Sequence, residues 1–349
     1  MSDTIYALTD YKGLFGSKHF ASPYRSGMDR DSLTTAFRDR GYDIEYLPLA
    51  DAAALPSPEW LGRMVLYTGS EDPGYHYKSF IEDVVLHVEQ CGAMVIPSYR
   101  HLRANNNKVF MELLRRDLGT ATGMSSHVFG SADELEARAT AFTWPVVIKR
   151  AAGAMGRGVV MADTEKELVR QARKLSSTGN IRLRIKEYIR TLRHKGYLPD
   201  SMYRGKLIVQ PFVPGLVNDW KVYVMGSRIF VFYRPVFGNR TFRASGGGYD
   251  NYRYGTEADV PPGLFNFAAA IFAELDVPMA SLDIGYDSNG GQFILFEFQS
   301  VFFGTAGMLR HYSSHYFVRE GSEWVTQPND LTIEEYYAGA VDEYIRSRR

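Results

Sequence analysis

Through the first hundred residues, short apolar runs alternate with stretches of helical periodicity. Residues 4–8, 44–47, 64–67 and 93–97 read as strands. Residues 29–40, with Asp29 near the N-cap, and 77–90 read as helices. Strands separated by helices imply a parallel sheet, whose ligands lie in loops beyond the C-terminal ends of the strands. The polar loops 10–28 and 68–78 occupy such positions, as a substrate pocket or as plain solvated surface.

The pattern then changes. A helix over 105–118 opens with three asparagines and carries Lys108 in its first turn. A strand at 126–129, a helix at 131–141 capped by Ser131, and strands at 145–150 and 159–162 follow, with another helix from Thr164. Segment 182–196 (RLRIKEYIRTLRHKG) is strongly basic and reads as a solvated helix face or as a contact for a phosphorylated substrate. From Lys206 the chain is strand-rich over 206–215, 219–237 and 281–299, with helices at 262–275 and 333–345. The expected fold class is therefore α/β followed by α+β, divided as 1–104, 105–205 and 206–349.

The run 281–299 (SLDIGYDSNGGQFILFEFQ) reads as a hairpin turning at Asp287-Ser288-Asn289-Gly290-Gly291. Glu297 and Gln299, two apart on a strand, share a face. If Tyr286 opposes Gln292, Asp283 joins them, and a one-residue slip sends it to the other side. Ile284, Ile294, Phe296 and Phe298 are then expected on the opposite, apolar face. Two carboxylates and an amide in such strands need cationic compensation. A hard divalent cation shared with phosphate oxygens supplies it; the alternatives are a polar barrel interior and an arginine-paired carboxylate cluster.

Composition narrows the classes. The 349 residues are 45% hydrophobic, enough for two or three packed domains. Forty basic and forty acidic residues cancel, which argues against nucleic acid as a partner. No run approaches the roughly 18 apolar residues of a membrane span. The start, MSDTIYALTD, has no basic and apolar leader pattern, so no membrane association and a cytoplasmic location are expected. The single Cys91 reads as a structural thiol. Symmetric dimers being the commonest soluble assemblies, a homodimer is the expected oligomer.

Several further residues carry candidate chemistry. The loop 149–159 (KRAAGAMGRGV) joins two strands, so it is neither a P-loop nor a Rossmann turn, both of which open a helix. Gly153, Gly156 and Gly158 let backbone N–H groups approach a phosphate, with Lys149 at the strand end, or they make a tight basic hairpin. In VQPFVPG, Pro211 suggests an edge strand whose main chain near Phe212 and Val213, with Gln210 nearby, is open to an adenine. Asp219 and Lys221 share a strand face, where an isolated pair would count for little. Arg243, followed by Gly246, Gly247 and Gly248, suits a carboxylate or acyl phosphate, with Arg234 and Arg240 as weaker candidates; the alternative is a flexible hairpin tip. His311 and His315 lie at helical spacing without a zinc-peptidase glutamate, and read as surface or core histidines.

In order, Lys108, Lys149 with its glycine loop, VQPFVPG, Asp219-x-Lys221, Asp283 and Glu297-x-Gln299 resemble the ATP-grasp superfamily over roughly 108–304. The segment before them is similar to that superfamily's N-terminal domain, and the Glu-x-Gln ending to one of its subgroups. The resemblance implies two α+β subdomains clamping ATP and Mg²⁺. It assigns Lys108, Lys149, Gly153, Gly156 and Gly158 to the phosphates and Gln210, Pro211, Phe212 and Val213 to the adenine. Asp219 falls in the nucleotide site, Lys221 at the γ-phosphate, and Asp283, Glu297 and Gln299 at Mg²⁺. Gln299 stands where most members have Asn and Lys221 where Arg is frequent, so metal placement and bidentate phosphate contact differ from the common pattern. The activity implied is ATP-dependent joining of a small-molecule carboxylate and an amine (amino acid, peptide or sugar acid). A nucleotide-binding module without turnover and a small-molecule phosphotransferase are the alternative expectations.

Overall fold

The computed structural model describes residues 3–16, 23–24, 26–121, 123–153, 158–216, 218–235, 253–254, 260–287, 290–308 and 313–349. Its first part runs β1 (Asp3–Thr9), α1 (Arg30–Arg38), β2 (Tyr42–Pro48), α2 (Leu49–Ala54), β3 (Met64–Tyr67), α3 (His76–Gln90), β4 (Met94–Ile96) and α4 (Tyr99–Ala104). The strands form a parallel sheet in the order β2-β1-β3-β4, as the alternation of periods predicts. Asp29 caps α1 by accepting from Ser32 N at 2.8 Å. Helices α2 and α4 escape prediction because six residues each are too few to display a helical period.

The second part comprises α5 (Lys108–Arg116), β5 (His127–Phe129), α6 (Ala132–Glu136), β6 (Val146–Arg150), β7 (Val159–Ala162), α7 (Glu165–Ser176), α8 (Ile181–Arg193) and β8 (Leu207–Pro211). Its antiparallel sheet has the order β5-β8-β6-β7. Two expectations are corrected here. Strand β8 belongs with this sheet rather than with the C-terminal part, so the division at 205/206 cuts through a unit. It is also interior rather than an edge, because β5 pairs with its first three residues and β6 with all five. Pro211 is tolerated at its end, beyond the reach of β5. One sheet face packs Val146, Ile148, Leu207 and Val209 against α6 and α7. The alternate residues Val147, Lys149, Ile208 and Gln210 face the other way.

The third part holds β9 (Asn218–Met225), β10 (Arg228–Pro235), β11 (Arg253–Tyr254), α9 (Leu264–Leu275), β12 (Met279–Asp287), β13 (Gln292–Gln299), β14 (His315–Glu320), β15 (Glu323–Pro328) and α10 (Ile333–Arg346). The sheet order is β13-β12-β9-β10-β14-β15, with β11 also on β10. The β14–β15 hairpin is unforeseen, and it removes the helical spacing of the two histidines: His315 opens a strand, and His311 lies outside the described residues. One face packs Val222, Leu282, Ile284 and Phe298 against Leu264, Ala268 and Ile271 of α9. The other packs Tyr223, Met225, Phe230 and Phe232 with Tyr336 and Tyr337 of α10 and with Ile5, Leu66 and Ile96 of the parallel sheet. Helix α10 thus ties the first sheet to the third, burying the residues that an amphipathic tail helix must cover. Among the described residues, no helix is long and apolar enough to cross a membrane.

Candidate active site

The hairpin β12–β13 sets the geometry. At its turn end the register is Asp287 opposite Gln292 and Tyr286 opposite Phe293, one residue from the expected pairing. That slip alone would turn Asp283 away from Glu297. A β-bulge between Asp283 and Ile284 reverses it, so Asp283 faces Glu297 and Ser281 faces Gln299. Phe296 is the extra residue, and its ring crosses Gly285, where a Cβ would stand 2.5 Å away. Leu295 therefore joins Ile284 and Phe298 in the core, whereas a regular ladder would have set it beside Glu297. Signs of the bulge were present in sequence: the alternation of Gln299, Phe298, Glu297 and Phe296 breaks at Leu295, the second of two adjacent apolar residues.

Strand β9 lies on the other side of β12, with Lys221 opposite Asp283, and β10 sets Arg234 opposite Asp219. Asp219 and Lys221 do not pair with each other as a surface salt bridge. Lys221 Nζ reaches Asp283 Oδ1 at 2.7 Å, and Arg234 holds Asp219 with two bonds of 2.6 Å. Arg234 Nη2 also lies 3.0 Å from Asp283 Oδ2. Desolvation pushes the Asp219 carboxyl up to about 6 against the pull of Arg234. Desolvation also raises Asp283, but Arg234 and Lys221 together outweigh it and hold that carboxyl well below its usual range. The arginine-paired cluster considered from the sequence is thus present on the face that carries the metal-type donors. Arg234, there a secondary candidate for a substrate carboxylate, is its hub. The two-residue turn Gly226-Ser227 is the local signal that fixes Arg234 across from Asp219.

The opposite wall comes from α5 and the small sheet. Asn107 caps α5, and Lys108 N donates to Ala151 O at 2.8 Å, locking the helix start to the glycine loop. Lys108 Nζ pairs with Glu297 Oε1. Lys149 is partly buried; desolvation lowers its ammonium, while Glu297 raises it and Lys108 lowers it further. Gly158, at φ +76°, turns beside the Arg150 side chain, and Gly153 also has positive φ. Gly156 lies outside the described residues.

Gln210 does not present its amide to an open adenine pocket. It is buried and donates to Glu112 Oε2 at 2.9 Å. Glu112 also accepts from Ser126 Oγ at 2.6 Å and pairs with buried Arg115, whose guanidinium reaches Ala121 O and Met124 O. This buried network supports the end of β8 from within, and contacts 98 residues apart leave no local sequence signal. Just past β8, Phe212 N donates to Pro145 O at 3.1 Å. Lys206, also missed in sequence, donates to the cap residue Asn107 at 3.0 Å.

The two loops expected to bind substrate meet: Gly16 N donates to Thr68 Oγ1 at 3.2 Å, and the rings of Tyr11 and Tyr77 lie 4.9 Å apart. Phe15 stacks edge-on against Phe302, three residues past Gln299. Both loops thus approach the C-terminal end of β13. Arg240, Arg243 and Gly246, Gly247 and Gly248 lie outside the described residues.

This arrangement gathers Lys108, Lys149, Lys221 and Arg234 with Asp219, Asp283 and Glu297, a set able to neutralise phosphate and cation together. In sequence, residues 107–197 match the family described as carbamoyl-phosphate synthase L chain, ATP binding domain. No curated protein matches the chain. Among solved structures, D-cycloserine synthetase DcsG is similar at 13% identity and a TM-score of 0.54, over 97% of this chain and 99% of that one. The ADP complex of purK, N5-carboxyaminoimidazole ribonucleotide synthetase, is similar at 13% identity and a TM-score of 0.51, over 88% and 72%. The ATP-grasp ligase PsnB complexed with minimal precursor gives 14% identity and a TM-score of 0.51, over 98% and 100%. The sheets, their order along the chain and the matched ATP-binding segment agree in one conclusion: the chain has the ATP-grasp fold.

Proposed function

We propose that the protein is an ATP- and Mg²⁺-dependent carboxylate–amine ligase that works through an acyl phosphate. The observation that carries this reading is the convergence of Lys108 from α5, Lys149 from the small sheet, and Lys221 and Arg234 from the C-terminal sheet on Asp283 and Glu297. The ligase names of DcsG, purK and PsnB support it, as does the match of residues 107–197 to an ATP-binding domain.

The donor set fits a hard divalent cation. Asp283 and Glu297 offer carboxylate oxygens and Gln299, by register, an amide on the same face. Each carboxylate already holds a lysine that phosphate oxygens can take over, so the charges remain balanced when nucleotide enters. When bound there, Mg²⁺ neutralises charge on the phosphate oxygens.

Lys108, Lys149 and the loop containing Gly153 and Gly158 hold the phosphates, while Pro211, Phe212 and Val213 border the adenine. Lys221 orients the γ-phosphate, and Asp219 keeps Arg234 aimed at the same region. A substrate carboxylate oxygen attacks the γ-phosphorus, the bond to the β-phosphate oxygen breaks, and ADP leaves. The amine nitrogen then attacks the acyl carbon, expelling phosphate and losing a proton, to give the amide. No protein nucleophile is needed; positioning and electrostatics do the work. Arg243 is assigned to steadying the acyl phosphate. The substrates are small polar acids and amines, such as amino acids, peptides or sugar acids, entering between loops 10–28 and 68–78.

ADP release, screened over amino acids and sugar acids singly and in pairs, tests this reading. Release should require a pair, and hydroxylamine should trap the activated acid. ATP binding without turnover on any pair would instead favour a nucleotide-binding module. ADP formation with a phosphorylated acceptor that hydroxylamine leaves untouched would favour a phosphotransferase.

A further inference from the structure

Helix α8 is docked through a buried carboxylate. Glu187 is buried, pairs with Arg190, and accepts from Tyr197 Oη at 2.6 Å and Asp200 N at 3.2 Å. Leu183 and Arg190 are half-buried, and the rest of the helix is exposed. An apolar stripe runs along the side facing solvent: Ile181, Ile185, Tyr188 and Leu192 are 74, 55, 66 and 69% exposed, with Ile189 beside them and the basic residues Arg182, Arg184, Lys186 and Arg193 also exposed. Large apolar residues scattered singly on a surface need no explanation, but a contiguous stripe marks a contact. Rolling the helix over to bury this stripe would break the Glu187 network, so the stripe stays outside.

The spacing of the stripe, four, three and four residues, is that of a helix–helix seam. Exposed Arg182 and Arg184 stand at its flanking positions. These observations select the occupant. A second copy in a two-fold pairing would oppose its own arginines to these. A lipid surface imposes no seam spacing on the helix it holds, whereas a facing helix does.

We propose that α8 is a docking helix for an acidic amphipathic helical segment of a partner protein, one with Leu, Ile or Val at the same seam spacing and Asp or Glu at the flanks. The test uses the full chain and a synthetic helical peptide with leucines on the seam and glutamates beside it. The glutamate peptide should bind, and Ile185→Glu and Leu192→Glu should each weaken it at least about 10-fold, or roughly 1.4 kcal/mol. Binding should also weaken with added salt. A version with lysines for glutamates should not bind. Both substitutions are on exposed positions, and unchanged circular dichroism would exclude a folding defect. Four results would overturn the proposal: no binding of the glutamate peptide, equal binding of the lysine peptide, recruitment to phosphatidylcholine–phosphatidylserine vesicles instead, or self-association that Ile185→Glu abolishes.

Discussion

Arg234 and Asp219 face each other across neighbouring strands and close a two-pronged pair, both bonds 2.6 Å, deep enough that the arginine is nearly buried. The same guanidinium also steadies Asp283, so its removal takes the paired cation from Asp219 and leaves Asp283 to Lys221. Arg234→Met should destabilise the fold by about 3–5 kcal/mol, the range for breaking a buried pair. Adding Asp219→Leu to it should recover a large part of that loss, since one unpaired buried charge is then gone. Urea denaturation midpoints of the three proteins check both statements.

Asp283→Asn and Glu297→Gln keep shape and remove charge. Each should lower ATP-dependent ADP release by about 100-fold or more, the scale for loss of one preorganised electrostatic contact. Fluorescent nucleotide binding should survive in Glu297→Gln, which also frees Lys108. Equal turnover in the variants and the parent would overthrow the proposed donor set.

Gln299 can be tested by the metal it demands. Gln299→Leu should raise the Mg²⁺ concentration for half-maximal ADP release by about tenfold or more, one oxygen donor being lost from a hard-cation site. Gln299→Asn, which keeps the amide on a shorter stem, should raise it less. A Mg²⁺ titration at fixed free ATP reads the difference.

His101 predicts a pH dependence of stability. Its ring is buried against Arg100, and Nδ1 lies 2.8 Å from Ser300 Oγ, next to Gln299. Desolvation, then the Arg100 charge, push it down to about 4. The unfolded chain binds its proton near 6.5, so stability from this group is complete above that pH and is lost as pH falls through 4. The loss amounts to about 3 kcal/mol at most, at 1.36 kcal/mol per unit. His101→Gln should abolish this portion of the decline when melting is followed from pH 7 to pH 4.

Local patterns carried much of this architecture. The parallel sheet follows from alternating periods, and the caps Asp29 and Ser131 begin their helices as read; of the three asparagines at 105–107, the last is the cap, and α5 starts at Lys108. What escaped depends on partners far away in the chain. Pro211 suggested an edge because a proline lacks an amide, but β5, some eighty residues earlier, flanks that strand. Gln210 looked available until Glu112 claimed it. Asp219 and Lys221 looked like a minor pair because each one's true partner sits on a different strand.

Phe296 leaves β13 to be read in two frames. From the turn to Leu295, odd-numbered residues fill the core; from Glu297 onward, odd-numbered residues face the charged cleft. A gapless comparison with a relative lacking the extra residue can match either the packing half or the chemical half, never both. The difference between a matched and a missed ligand motif then comes down to where one gap is placed. Deleting Phe296 would merge the frames without moving either set of side chains to a new face. In this strand the information that folds the protein and the information that serves its chemistry are written out of phase, with one aromatic residue as the spacer.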